Sequence, residues 1–167
     1  MVAATKLAHY VVKSYENHTS CSFGKSELML QKLMYLIQRE GLAIDGQPVI
    51  DEDFQGWVHG PVLPELRFFF DEDYEEKDVE EEISLREKYI VANVLDQYSK
   101  YAAWTLRDMT HEEQCWRKSR IGLSENERGD VVIPLEDIRI DAANVRLYDS
   151  TWGMYIDEFD DAEDSTI

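Results

Sequence analysis

Long apolar runs are missing from this chain. No stretch approaches the ~20 residues of a membrane helix, and no charged-then-apolar order marks a signal peptide. A soluble, cytoplasmic protein with no membrane partner is expected. Cysteine is scarce, and its two copies, Cys21 and Cys115, form no Cys-x-x-Cys pair, so neither a disulfide framework nor a zinc knuckle is indicated. The four histidines, His9, His18, His59 and His111, are never four residues apart, which removes the helical metal-ligand pair. Phosphate-binding glycine loops, His-Glu-x-x-His helices and Gly-x-Ser-x-Gly nucleophile turns are absent as well. Carboxylates able to act as general acid and base are so numerous that closeness of two means little. The sequence therefore leads to the expectation of no enzyme, with no catalytic residue, no cofactor and no metal.

Positive charge is also in short supply. Seventeen Lys and Arg face 35 Asp and Glu, for a formal charge of -18 in 167 residues. Residues 71–88 hold ten acids against Lys77, Arg86 and Lys88, and residues 149–167 hold seven acids with no Lys or Arg. These two segments carry 14 of the 18 excess negative charges. Direct nucleic-acid binding is disfavoured, because Lys and Arg neutralising phosphates supply most of that affinity. A protein partner with a basic surface is favoured; the plain alternative is that acidic loops and tails keep the chain soluble.

What is present is helical periodicity. Thr5 to about Tyr15 reads as a first helix, with Leu7, Tyr10, Val11 and Ser14 at helical spacing. Ser26 caps a second, in which Leu30, Leu33, Met34 and Ile37 repeat as i, i+3, i+4, i+7. Asp45-Gly46 makes a turn, and Pro48–Ile50 is apolar and extended. Pro64 suits the first turn of a helix through Leu66 and Phe69. Ser84 and Glu87 have capping-box spacing ahead of Val91, Val94, Leu95 and Tyr98, and Ser99 to Met109 follows as the next helix. Thr110 and Glu113 repeat the capping-box spacing, which predicts a helix starting at His111 and containing Trp116. Val131–Ile133 is a short strand or strap, and Pro134 opens a helix with Leu135 and Ile138. The expected fold is all-α: a compact domain of six or seven helices over residues 1–145, with short extended segments near 47–58 and 131–133. Residues 146–167 form an acidic, aromatic extension whose last residues are unstructured.

Three constellations stand out. The run Trp57-Val58-His59-Gly60-Pro61-Val62-Leu63-Pro64-Glu65-Leu66 sets two prolines between a tryptophan and a new helix, a rigid corner suited to catalysis, binding or ordinary packing. In Thr110–Arg120, His111 and Arg120 near the corner would give a polar rim around an aromatic floor. The plain alternative is Trp116 packed inward and Arg120 bonded to a loop carbonyl or an acidic side chain. The third is Tyr148, Trp152, Tyr155 and Phe159 among Asp149, Asp157, Glu158, Asp160 and Asp161. It is either a last helix packed on the domain or a partner-binding tail with aromatic anchors and steering carboxylates.

Leu30-Gln31-Lys32-Leu33-Met34-Tyr35-Leu36-Ile37-Gln38, then Trp57 with His59-Gly60-Pro61-Val62 and Pro64-Glu65-Leu66, then Thr110-His111, Glu113, Trp116 and Arg120 resemble, in order and spacing, the Panacea domain. This antitoxin family includes the phage-associated GepA-like proteins and SocA-like proteolytic adaptors. The resemblance covers roughly residues 4–140. It implies a largely helical, non-catalytic domain that binds and neutralises a toxin, or delivers it to a cytosolic protease. The motif residues Trp57, His59, Gly60, Pro61, Pro64, Glu65, Thr110, His111, Glu113, Trp116 and Arg120 then either touch the partner or hold the fold. The alternative function is a phage-encoded inhibitor of a host defence protein, in which carboxylates mimic nucleic-acid phosphates. Oligomeric state is not legible.

Overall fold

The computed structural model describes residues 1–159; the expected unstructured end, 160–167, lies outside the described residues. Helix α1, Ala4–Thr19, buries Leu7, Ala8 and Val11 on one face. Its N-terminus has no local side-chain cap, and the Glu52 carboxylate accepts from the Ala4 amide at 2.8 Å instead. Helix α2, Glu27–Asp45, begins where the Ser26 hydroxyl accepts from the Met29 amide and ends at left-handed Gly46. It packs against α1, three later helices and a hairpin, so it is buried nearly all round. Those later helices are α3, Leu85–Tyr98, α4, Ala103–His111, and α6, Leu135–Ala142, with the short α5, Gln114–Ser119, between the last two. The Ser84–Glu87 capping box forms at the start of α3 as the spacing predicts.

The domain is largely helical but not all-α. Strands β1, Gln55–Trp57, and β2, Gly60–Val62, pair antiparallel with Gly56 opposite Pro61. Val131–Ile133 runs along the free side of β1, where the Gly56 amide donates to the Val131 carbonyl at 2.9 Å and the Ile133 amide to the Phe54 carbonyl at 2.8 Å. The two extended segments expected from sequence thus meet and satisfy each other's backbone. A second hairpin, β3 Tyr148–Asp149 with β4 Met154–Tyr155, stands where a last helix was the simpler expectation. Gly153 at φ 64° supplies the left-handed residue its turn needs.

Three helix boundaries differ from the sequence reading. Pro64 opens only one 3₁₀ turn, Pro64–Leu66, because Phe68 takes φ 65° and breaks the path; Phe69 and Phe70 instead pack with Tyr74. The helix expected from Ser99 starts at Ala103. The Thr110–Glu113 capping box does not form: α4 extends through His111, the Thr110 hydroxyl donates to the Arg107 carbonyl at 2.8 Å, and Glu113 points to α2. Among the described residues, no helix is long and apolar enough to cross a membrane.

The first acidic segment lies against α1 and α3. Lys13 pairs with Asp78 at 3.2 Å, Lys88 with Glu80 at 3.0 Å, and Lys6 with Glu82.

Candidate protein-binding site

The β1–β2 hairpin is fastened to α2 by polar side chains that point inward from the middle of that helix. Gln31 is buried and reads the backbone as a strand would. Its amide donates to the Leu63 carbonyl at 3.0 Å, and its carbonyl accepts from the Leu63 amide at 2.8 Å. Lys32, fully buried, donates from Nζ to the Pro61 carbonyl at 2.7 Å. Burial, helped by the charge of Arg107, lowers its amine to about 7. Gln38 does the same for the strap before β1, accepting from the Val49 and Ile50 amides. Gly60 completes the fastening. Its φ is 108°, and a Cβ there would lie 2.7 Å from Lys32 Nζ and 2.6 Å from Thr110 Oγ1.

Beside the hairpin, one side of α4 and the start of α5 build an aromatic and cationic face. Trp104, Arg107 and His111 share one side of α4 by their i, i+3, i+7 spacing. The Arg107 guanidinium lies 4.7 Å from the Trp104 ring centroid, and the exposed His59 ring at the hairpin turn is 5.3 Å from Trp104 on its other flank. Trp104 is 54% exposed. His111 stacks on Trp116 with centroids 3.8 Å apart, and the Trp116 indole donates to the Trp57 carbonyl at 2.8 Å. Burial, then Arg107 and Lys32, hold the His111 imidazole down to about 4, and the same influences lower His59. Arg107 and Lys32 thus stand close together here, in a chain of charge -18.

On the neighbouring side of His59, Leu28, Trp57, Val58 and Val62 line an open cleft of about 260 Å³ rimmed by Arg67 and Arg128. Arg67 pairs with Glu27 at 2.7 Å, and Arg128 is exposed.

The remaining motif residues hold the frame. Pro61 and Gly60 are buried in the hairpin, Pro64 starts the 3₁₀ turn, and Glu65 is exposed. Thr110 is buried beneath Gly60. Glu113 pairs with Arg39 and accepts from the Tyr35 hydroxyl at 3.0 Å; Arg39 also donates to the Tyr98 hydroxyl at 3.0 Å. Arg120 donates to the carbonyls of Gly56, Ser124 and Glu127, pinning the 122–130 loop to β1, which is the plain role open to it in the sequence. Glu113, Cys115 and Asp141 bring possible metal ligands within 4.8 Å of one another. Each already has work: Glu113 holds Arg39, and Asp141 accepts from the Gln114 and Cys115 amides at 3.1 and 2.7 Å, capping α5 from α6. Burial raises the Cys115 thiol well above its ordinary value, which keeps it protonated.

The C-terminal aromatics lie apart from this face, on α3. The Tyr148 hydroxyl bonds Asp96, Tyr89 donates to Asp149 at 2.7 Å, and Asn93 accepts from the Ser150 amide at 2.8 Å. Arg146 sits 4.0 Å from the Tyr155 ring centroid. Trp152 is 71% exposed, with Phe159 edge-on to it at 6.0 Å.

The sequence model of the antitoxin SocA-like, Panacea domain matches residues 30–117, which is more than half of the chain. The chain belongs to this family. No match is found among curated proteins or solved structures. The Panacea match runs from α2 through α5, so it contains the hairpin, its polar fastenings and the whole Trp104–Trp116 face; α1, α6, Arg120 and the C-terminal hairpin lie outside it.

Lys32, Trp104 and Arg107 escaped notice as candidate residues in the sequence. The spacing of Trp104, Arg107 and His111 was a usable signal. Lys32 gave none, since a lysine inside an apolar stripe reads as a solvated flank until its carbonyl partner is known.

Proposed function

We propose that this Panacea domain neutralises a cognate toxin by direct protein–protein contact, without catalysis, through the face formed by His59, Trp104, Arg107, His111 and Trp116. The observation that carries the reading is that the family match contains an exposed tryptophan, Trp104, with the Arg107 guanidinium against its ring. Tryptophan and arginine dominate the energetic centres of protein interfaces. The acidic segments act at longer range, steering a partner whose own surface is basic; this raises the association rate more than the affinity and weakens with salt.

Phosphate mimicry by the acidic segments has less support. Asp78, Glu80 and Glu82 are paired with the chain's own lysines, and Asp157 with Arg146 at 2.9 Å. A mimic needs its carboxylates free and aimed at the partner.

Co-expression with each gene adjoining that of this protein tests the reading. The expected result is one neighbour that stops growth alone and permits it when this chain is present. A neighbour whose toxicity persists undiminished, or no toxic neighbour, contradicts it.

A further inference from the structure

Four cationic side chains gather around the hairpin and its cleft: Lys32, Arg67, Arg107 and Arg128. Besides burial, Arg107 and Lys32 both lower His111, and Asp108 opposes them. Asp108 neighbours Arg107 in sequence and pairs with it at 2.9 Å while remaining largely exposed. Arg107 Nε and His111 Nε2 are buried and have no hydrogen-bond partner among the described residues. Lys32 Nζ, with three donor hydrogens, has the Pro61 carbonyl as its hydrogen-bond acceptor. A buried guanidinium N–H without an acceptor is destabilising unless something supplies the missing oxygen. On the neighbouring side of His59, the cleft floor of Leu28, Val58 and Val62 is apolar, and its rim carries Arg67, paired with Glu27, and Arg128.

Resting on the antitoxin reading, we infer that the segment of the toxin bound here is acidic and carries an apolar anchor. The anchor enters the cleft between β2 and α2, and flanking carboxylates meet Arg107 across the Trp104 ring and Arg128 on the far rim. Carboxylate against guanidinium is a bidentate, charge-assisted contact, and an adjoining indole excludes water from it. A basic segment would be repelled by the same cations. The toxin is thus dipolar towards this chain: a basic surface facing the acidic segments and an acidic segment in the hairpin face.

Two peptides of matched length test this on the full chain by NMR: acetyl-Glu-Leu-Glu-Phe-Glu-amide and its counterpart with lysine in place of glutamate. The protein's four tryptophans serve as reporters, because Trp57, Trp104 and Trp116 border the face while Trp152 lies on the other hairpin. The acidic peptide is expected to move the indole signals of the first three and leave Trp152 in place. Binding should weaken with salt, and fall about tenfold in Arg107→Gln and by several-fold in Arg128→Glu. Arg128 is exposed, so its substitution keeps the test valid even if Arg107→Gln disturbs folding. Equal or tighter binding of the lysine peptide, shifts confined to Trp152, or no shift with either peptide at millimolar concentration would overturn the inference. Toxin neutralisation by Arg128→Glu as strong as that of the unaltered chain would overturn it while leaving the antitoxin function standing. Failure of the unaltered chain to neutralise contradicts that function, whatever the peptides do.

Discussion

Lys32, in the middle of the longest helix, donates to the carbonyl of Pro61 in the neighbouring hairpin at 2.7 Å, with its ammonium fully buried. Two of the segments that resemble the family are joined at that bond. A proline carbonyl is a fitting acceptor, because Pro61 offers no N–H of its own and its position in β2 is fixed by the ring.

The buried amine makes stability depend on pH. Native Lys32 titrates near 7, whereas the unfolded chain's lysine titrates near 10.5. Between those values the unfolded state binds more protons, so Lys32's contribution to unfolding free energy rises with pH and levels off below 7. Urea midpoints taken at about pH 7, 8 and 9 should rise, and Lys32→Met should flatten the rise. An identical slope in the variant would show that Lys32 titrates as an exposed lysine does.

Gly60→Ala should be among the most damaging single-atom additions to the chain. The new Cβ would need φ 108°, and would lie 2.7 Å from Lys32 Nζ and 2.6 Å from Thr110 Oγ1. A loss of about 3 kcal/mol is expected, from left-handed strain and overpacking together. Equilibrium urea unfolding followed by tryptophan fluorescence measures it; a loss of under about 1 kcal/mol would mean that the hairpin turn relaxes without cost.

Glu113→Ala separates two roles. As a helix cap its loss would cost about 1 kcal/mol. As the partner of Arg39, with both side chains 12% exposed, its removal leaves a buried guanidinium and should cost about 3 kcal/mol. Arg39→Met in the same background should recover part of the loss, since the stranded charge is then gone too. A double variant weaker than Glu113→Ala by the full cost of a separate Arg39 substitution would refute the pairing.

His111 contributes an acid-side dependence. Its native value of about 4 lies below the unfolded 6.5, so as pH falls from 6.5 towards 4 the unfolded state takes up a proton that the native state resists, and stability declines. His111→Phe, which keeps a ring against Trp116, should lose that part of the decline. Thermal midpoints across this range decide it, with an unchanged profile in the variant counting against a neutral, buried imidazole.

The helices were legible because their apolar residues recur at helical spacing and two of their starts carry capping serines, Ser26 and Ser84. Thr110 and Glu113 misled because capping-box spacing is a local signal, and the tertiary partner of Glu113 is Arg39, 74 positions away. The hairpins were missed for a similar reason. Strands of two or three residues give too few alternations to read, and β1 is completed by the Val131–Ile133 strap, about 75 residues further on. Of the two residues expected near the Trp57–Leu66 corner, His111 stacks on Trp116, whose indole donates to the Trp57 carbonyl, whereas Arg120 bonds the Gly56 carbonyl as a brace. The charge count pointed to the acidic segments and hid a face where cations gather, since net charge says nothing about where the few lysines and arginines stand.

The most direct test is the affinity between this protein and the product of its toxic neighbour, measured by calorimetry for the unaltered chain, Trp104→Ala and Trp152→Ala. Both tryptophans are exposed, at 54% and 71%, so neither change should move the unfolding midpoint. Binding by the hairpin face requires Trp104→Ala to weaken the complex about tenfold or more, with Trp152→Ala close to the unaltered chain. Full affinity in Trp104→Ala, or loss confined to Trp152→Ala, would contradict it.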